Sequence, residues 1–184
     1  MESSLAAIII VTLILFGALT LSHSYLTAQA AIAESWSERE ARAREQAQTA
    51  LSPGRAQTLD AGSLVEIAVL NDGGVKLADF ARWDVILDYH AAGSRQVQWY
   101  PYIRAIAPGS DQWTVTGIYL DEACTIPEVY DPGILNPGEV AVIRVRVAVP
   151  VGSGTINQAT VSTWNGISAT TVGDDAASPS SRLI

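Results

Sequence analysis

Lysine is almost missing from this chain: Lys76 stands alone, and arginine supplies the other ten of the eleven basic residues. Against nineteen Asp and Glu they leave a net charge of -8 and a pI near 4.6. That balance argues against nucleic acid as a partner and for an acidic, soluble outer surface. Cysteine is equally scarce, and Cys124 by itself excludes an intramolecular disulfide. It is expected to be a small buried hydrophobe, with an intermolecular bridge as the other use of a single thiol. No Asn-x-Ser/Thr sequence occurs, so any sugar would be O-linked or attached by another rule. Of the two histidines, His23 lies in an apolar segment and His90 follows a candidate strand. Neither has Cys, His or carboxylate neighbours at metal-ligand spacing. There is no nucleophile elbow, and Gly152-Ser-Gly154 follows a strand with no helix behind it to cradle a phosphate. These absences leave no support for catalysis, a cofactor or a metal. Asp121, Glu122 and Asp131 are loop acids that could help hold calcium, but such residues in an acidic chain are usually just solvated.

The absence that organises the chain is at its start. Ser3 to Ala33 contains no Asp, Glu, Lys or Arg, and Leu5 to Leu21 is apolar apart from Thr12 and Thr20. Without proline or a turn cluster, the segment runs on through Glu34 to Leu51 in Ala, Glu, Arg and Gln, all good helix formers. The pattern predicts one helix of roughly 45 to 50 residues, about 70 Å long, ending at Ser52-Pro53-Gly54. Its first part suits lipid or a dry core; its last part, with Glu38/Arg42 and Glu40/Arg44 at i,i+4, suits water. A cleaved secretory signal would need a basic start and a small-residue cleavage site, whereas the only charge ahead of the apolar run is Glu2. A plain membrane anchor needs about 20 apolar residues, which are present. The remaining reading is a helix that resides first in a membrane and later packs against copies of itself. On that reading Met1 is expected to be a mature N-terminus left by removal of a short basic leader. Ala28, Ala31, Ala41, Ala43, Ala47 and Ala50 leave little bulk there, and Trp36 is the one large side chain, suited to a membrane interface or a wedge between subunits.

After Pro53-Gly54 the apolar period changes to two. Leu64 to Leu70 is a β-rich run ending at Asn71-Asp-Gly-Gly74. Trp83, Val85, Leu87 and Tyr89 alternate with polar residues, as do Ile143, Val145, Val147 and Val149. Val97 to Tyr100 and Trp113 to Thr116 read as further strands, and Ala159 to Trp164 and Ile167 to Val172 flank Asn165-Gly166, a strong hairpin signal. Seven or eight short strands without a second helix predict an α+β chain: a long N-terminal α-helix over residues 1–52, then a single antiparallel β-sandwich or barrel (Ig-like) over 53–184. The tail from Gly173 is Ser-, Ala- and Asp-rich, with Leu183-Ile184 able to dock.

A long helix, apolar first and amphipathic later, followed by one small β-domain resembles an archaellin, the type IV pilin-like filament subunit of the archaeal swimming organelle. The Glu2 to Gln29 segment and the Asn71-Asp-Gly-Gly and Leu135-Asn-Pro-Gly-Glu139 turns carry the likeness. Type IV pilins usually have glutamate at the fifth mature position; here it is Leu5 and the acid is Glu2, which favours the archaellin side. The resemblance implies a helical homopolymer outside the cell, in the membrane before assembly, with a prepilin-peptidase-like enzyme, an assembly ATPase and a membrane platform as partners. It implies no enzyme activity, no cofactor and no nucleic acid. It places Leu5, Ile9, Leu13, Phe16, Leu21, Tyr25, Ile32 and Trp36 in the filament core. The aromatic group Trp99, Tyr100, Tyr102 and Trp113 offers outer-domain surface candidates, a platform for sugar or partner, although much of it is expected to be buried. It keeps open an adhesive pilin-like subunit or a membrane-anchored accessory or stator-like protein with a ligand-binding β-domain.

Overall fold

The computed structural model describes residues 2–153 and 157–173, with side chains in the first helix from Ile8 onward. Helix α1 spans Glu2–Gln48, 47 residues, within the length expected. Its apolar half includes β-branched residues that favour strand in water, yet its threonine hydroxyls are satisfied by the helix itself. The Thr12, Thr20 and Thr27 hydroxyls donate to the carbonyls of Ile8, Phe16 and His23 at 2.8, 2.8 and 2.9 Å. A helix built this way presents no bare hydroxyl donor at these positions.

Two four-stranded antiparallel sheets follow. The first contains β1 (Leu51–Leu59), β2 (Leu64–Asn71), β5 (Gln112–Tyr119) and β6 (Val140–Arg146), in the order β1-β2-β6-β5. The second contains β3 (Asp84–Ala91), β4 (Ser94–Tyr100), β7 (Asn157–Ser162) and β8 (Ser168–Gly173), in the order β4-β3-β7-β8. The chain changes sheet after β2, β4 and β6, which is the Greek-key connectivity of an immunoglobulin-type sandwich. The open choice between sandwich and barrel is resolved as a sandwich.

Alternation explains which face is inside. Val65, Ile67 and Val69 of β2 register against Val145, Ile143 and Ala141 of β6, and all six are buried. Val85 and Leu87 of β3 register likewise against Val161 and Ala159 of β7. Trp83, Tyr100 and Trp113 close the core at 2%, 0% and 0% exposure. Fully burying an aliphatic side chain of this kind is worth roughly 1.5–3 kcal/mol, so these rows supply most of the domain's driving force.

Three expectations need correction. Ser52-Pro53-Gly54 is no terminator but the bulged start of β1, with a register shift between Pro53 and Ala56; an edge strand tolerates a proline that a central strand would not. The alternation expected to reach Val149 stops at Val147: β6 ends at Arg146, Asp111 captures the Ala148 amide at 2.9 Å, and Val149 is exposed. Cys124 is only half-buried, because it sits in the β5–β6 loop with φ 54 instead of on a strand. The suggested docking of Leu183-Ile184 lies outside the described residues.

The chain forms two compact units, Met1–Arg44 and Glu45–Ile184, so the last turn of α1 belongs to the sandwich unit. Replacing Ile143, at the centre of β6, by Ala should cost about 2–5 kcal/mol of stability, read as an earlier denaturant midpoint of the full chain.

Candidate functional site

Two regions have structure beyond what a core needs: the surface of α1 in the first unit, and the collar around its last turn in the second.

From Ile8 to Trp36 the large apolar side chains of α1 are exposed all round the helix, from 52% at Ile9 to 73% at Leu21. A helix apolar on every side is covered by lipid or by protein, never by water alone. By length and composition it is also able to cross a membrane. Ile9, Leu13, Phe16, Leu21, Tyr25, Ile32 and Trp36 all lie on this surface. Leu5 is on the same helix, but its side chain lies outside the described residues. His23 is exposed on it too, with a carbonyl that accepts from Thr27.

The collar is built from the two turns that carried the family resemblance, and they meet. Asn71 is fully buried. Its side-chain amide donates to the carbonyls of Val75 (2.8 Å) and Leu135 (3.0 Å), and its Oδ1 accepts from the Gly73 amide at 3.1 Å. Its backbone N–H donates to Glu139 O at 2.9 Å, and its carbonyl accepts from Gly138 N at 2.8 Å. Glu139 in turn holds the second turn closed, accepting the Asn136 backbone amide at 2.7 Å. Leu77 and Leu135 exchange backbone bonds of 2.9 and 2.7 Å beside this node.

The same loop grips the end of α1. Helix C-termini leave their last carbonyls without partners. Here Gln48 O accepts from Gly74 N at 2.8 Å and Ala50 O from Asp72 N at 3.1 Å. Thr49 caps back onto Glu45 O at 2.8 Å and accepts from the Asn165 amide at 2.8 Å, while Gln46 donates to Asn165 O at 3.2 Å. Gly73 passes so close that an added Cβ would lie 2.5 Å from Ala50 N and 2.6 Å from Gln48 O. The helix end is thus bonded to the β2 turn and, through Asn165, to the β7–β8 turn. Sequence reasoning marked both turns as turns but did not assign Asn71, Thr49 or Asn165 any role. The one available signal was Asn, not Asp, at position 71, since only an amide donates to two carbonyls.

The aromatic candidates separate. Tyr100 and Trp113 are corrections: both are fully buried at 0% exposure, where burial pushes the Tyr100 phenol well above its ordinary pKa and keeps it neutral. Tyr102 is half-buried, its ring edge-to-face with Trp113 at 4.8 Å. Trp99 remains exposed at 53%, with its indole N–H held by Asp84 at 2.8 Å. The four therefore make no common platform; strand alternation sends Tyr100 inward and Trp99 outward.

The loop acids are engaged internally. Asp121 accepts the Thr125 amide, the Thr125 hydroxyl and the Ile126 amide at 2.9, 2.7 and 2.7 Å, and these bonds hold its carboxyl below the usual carboxylate range. Asp131 pairs with Lys76 at 3.2 Å. Among the described residues no group of three His, Cys, Asp or Glu is placed to hold a metal.

No protein-family model matches the chain, and no curated protein matches it. Solved structures do. The archaeal flagellum of Methanospirillum hungatei is similar over 91% of this chain and 89% of its own, at TM-score 0.56 and 15% identity. The chain has an archaellin-like fold. Coverage of 91% takes in helix as well as sandwich. An archaeal flagellin of Methanocaldococcus jannaschii matches 67% of this chain and 88% of its own (TM-score 0.49, 13% identity). The archaellum periplasmic stator protein FlaG of Sulfolobus acidocaldarius matches 67% and 98% (TM-score 0.48, 21% identity).

Two outcomes follow from this geometry. Asn71→Ala should destabilise the sandwich unit by roughly 1–3 kcal/mol for each buried carbonyl it strips, and Gly73→Ala should also lower the thermal midpoint because backbone, not a flexible side chain, blocks the new methyl. The Asp121 loop should also be acid-labile. A carboxyl whose folded pKa lies below its ordinary unfolded value contributes stability above that value and loses it as pH falls through the folded one. Protection of the Thr125 and Ile126 amides from exchange, relative to an unstructured chain at the same pH, should therefore fall below about pH 4, and Asp121→Asn should lower that protection at neutral pH already.

Proposed function

We propose that this chain is a structural subunit of an archaellum filament, polymerising through α1 with its sandwich as the outer layer. The observation that carries the reading is the helix apolar on all sides joined to an Ig-type sandwich, in the one-helix, one-sandwich layout of the solved Methanospirillum filament. In this reading Leu5, Ile9, Leu13, Phe16, Leu21, Tyr25, Ile32 and Trp36 face neighbouring helices in the core. Before assembly the same surface is in a bilayer, where lipid already covers it and close fit must drive helix association. Outside the membrane, exposing it would cost about 25 cal/mol per Å² of apolar area, so a free subunit in water is disfavoured. A processing peptidase, an ATPase and a membrane platform would handle assembly, and the filament would lie at the cell surface.

The collar supports a rotary role. A propeller must carry load between its core and its outer layer, and the bonds at Gln46, Gln48, Thr49 and Ala50 leave the helix end no loose linker in the sandwich unit. An adhesive role would need a large exposed aromatic or apolar patch, and burial of Tyr100 and Trp113 removes half of the candidate one.

Replacing Leu13 by Asp should abolish filaments while leaving the sandwich folded, checked by electron microscopy of sheared cells and by protease resistance of the membrane-held subunit. Deleting the gene should stop swimming and remove the filament. Cells that keep swimming and lose surface attachment instead would point to the adhesive subunit.

A further inference from the structure

Between the apolar part of α1 and the collar lies a segment with its own electrostatics. Residues 34 to 44 carry three glutamates (Glu34, Glu38, Glu40) and three arginines (Arg39, Arg42, Arg44), no net charge in a chain of -8. Copies of this segment can approach one another without net repulsion. Four of the six are committed within the helix: Arg42 to Glu38 at 3.3 Å and Arg44 to Glu40 at 3.0 Å, both i,i+4 with the acid first. The two left over are Glu34 and Arg39, which have no ion-pair partner among the described residues. One is an acid and the other a base.

Their spacing decides what they can meet. Five residues apart on a helix means about 7.5 Å along the axis and about 140° around it. They point to different sides and cannot pair with each other. Nor do they make one self-complementary patch, as a two-fold dimer requires. An acid on one side and a base on another fit a parallel neighbour, which then offers its own free base to the next. Such a contact is heterologous and does not close on itself. Trp36, 67% exposed between them in sequence, supplies apolar bulk to cover a pair formed beside it.

From this we infer that Glu34 of one subunit pairs with Arg39 of a neighbouring parallel copy, staggering adjacent α1 helices by about 7.5 Å. The inference rests on the filament reading above and specifies its register. An isolated exposed ion pair is worth little; one packed between helices and repeated at every subunit favours its own stagger over registers that leave Glu34 and Arg39 facing no opposite charge.

The test uses the full chain in its source cells, with chromosomal Glu34→Arg, Arg39→Glu and the double reversal. The readout is filament mass in the sheared fraction relative to subunit in the membrane. Each single reversal should lower that ratio about tenfold, and the double should return it to within about threefold of wild type. A second measurement avoids reversals: in a Cys124→Ala background, Glu34→Cys with Arg39→Cys should give an oxidation-dependent ladder of polymers, and either cysteine alone should not. Single reversals that assemble like wild type, a double no better than the singles, or intact filaments without the ladder would each overturn the pairing while leaving the filament reading standing. Wild-type filaments that lack this chain would instead overturn the filament reading itself.

Discussion

A helix that is apolar on every side cannot stay in water, and most of this molecule can be understood as a response to that constraint. Lipid can cover the apolar side chains from Ile8 to Ile32, and so can other helices of the same kind. The Thr12, Thr20 and Thr27 hydroxyls, each bonded back to a carbonyl one turn earlier, make the helix compatible with either cover, since neither offers water to a stranded donor. The acidic sandwich does the opposite work. It puts a large share of the negative charge where water can solvate it, and it buries its apolar rows between its own two sheets.

Joining two parts with such different solvents concentrates demands on a few residues near the junction. The carbonyls of Gln48 and Ala50 at the end of the helix are taken by amides of the Asn71-Asp-Gly-Gly turn, and that turn is held by the Leu135–Glu139 turn through Asn71. Asn71 is a polar side chain at zero exposure whose every hydrogen-bonding group is used, which is the condition under which a buried amide adds rigidity without destabilising the domain. A single Cβ at Gly73 would break the approach. The indole N–H groups of Trp83 and Trp113, by contrast, find no partner among the described residues; burying two large rings outweighs that loss.

The charge pattern along α1 fits the same division. Uncharged where lipid or neighbours must cover it, balanced from Glu34 to Arg44, and bonded to the sandwich unit from Gln46 onward, the helix passes through three environments without a proline or a glycine kink after Gly17. Its length alone, 47 residues, gives room for all three.

Much of this was legible in the residues. The helix, its continuity and its apolar half follow from composition and the lack of breakers, and antiparallel strands follow from the β-rich run at Leu64–Leu70 and from alternation at Trp83–Tyr89 and Ile143–Val147, although sandwich and barrel read alike. These are local periodic signals, and local signals survive in sequence. What tertiary structure decided is where non-local neighbours set the outcome. Pro53-Gly54 reads as a terminator, but becomes an edge strand because β2 lies beside it. Tyr100 and Trp99 are equally aromatic, and only the register of β4 on β3, with Tyr100 opposite Val85 and Trp99 opposite Ile86, sends one into the core and the other out. Asn71 and Asn165 look like ordinary turn residues until the fold brings Leu135 and Thr49 within hydrogen-bond distance, 64 and 116 positions away along the chain. Periodicity encodes which side of an element is greasy; it does not encode which distant carbonyl waits for an amide, and that pairing exists only once the chain has closed around it.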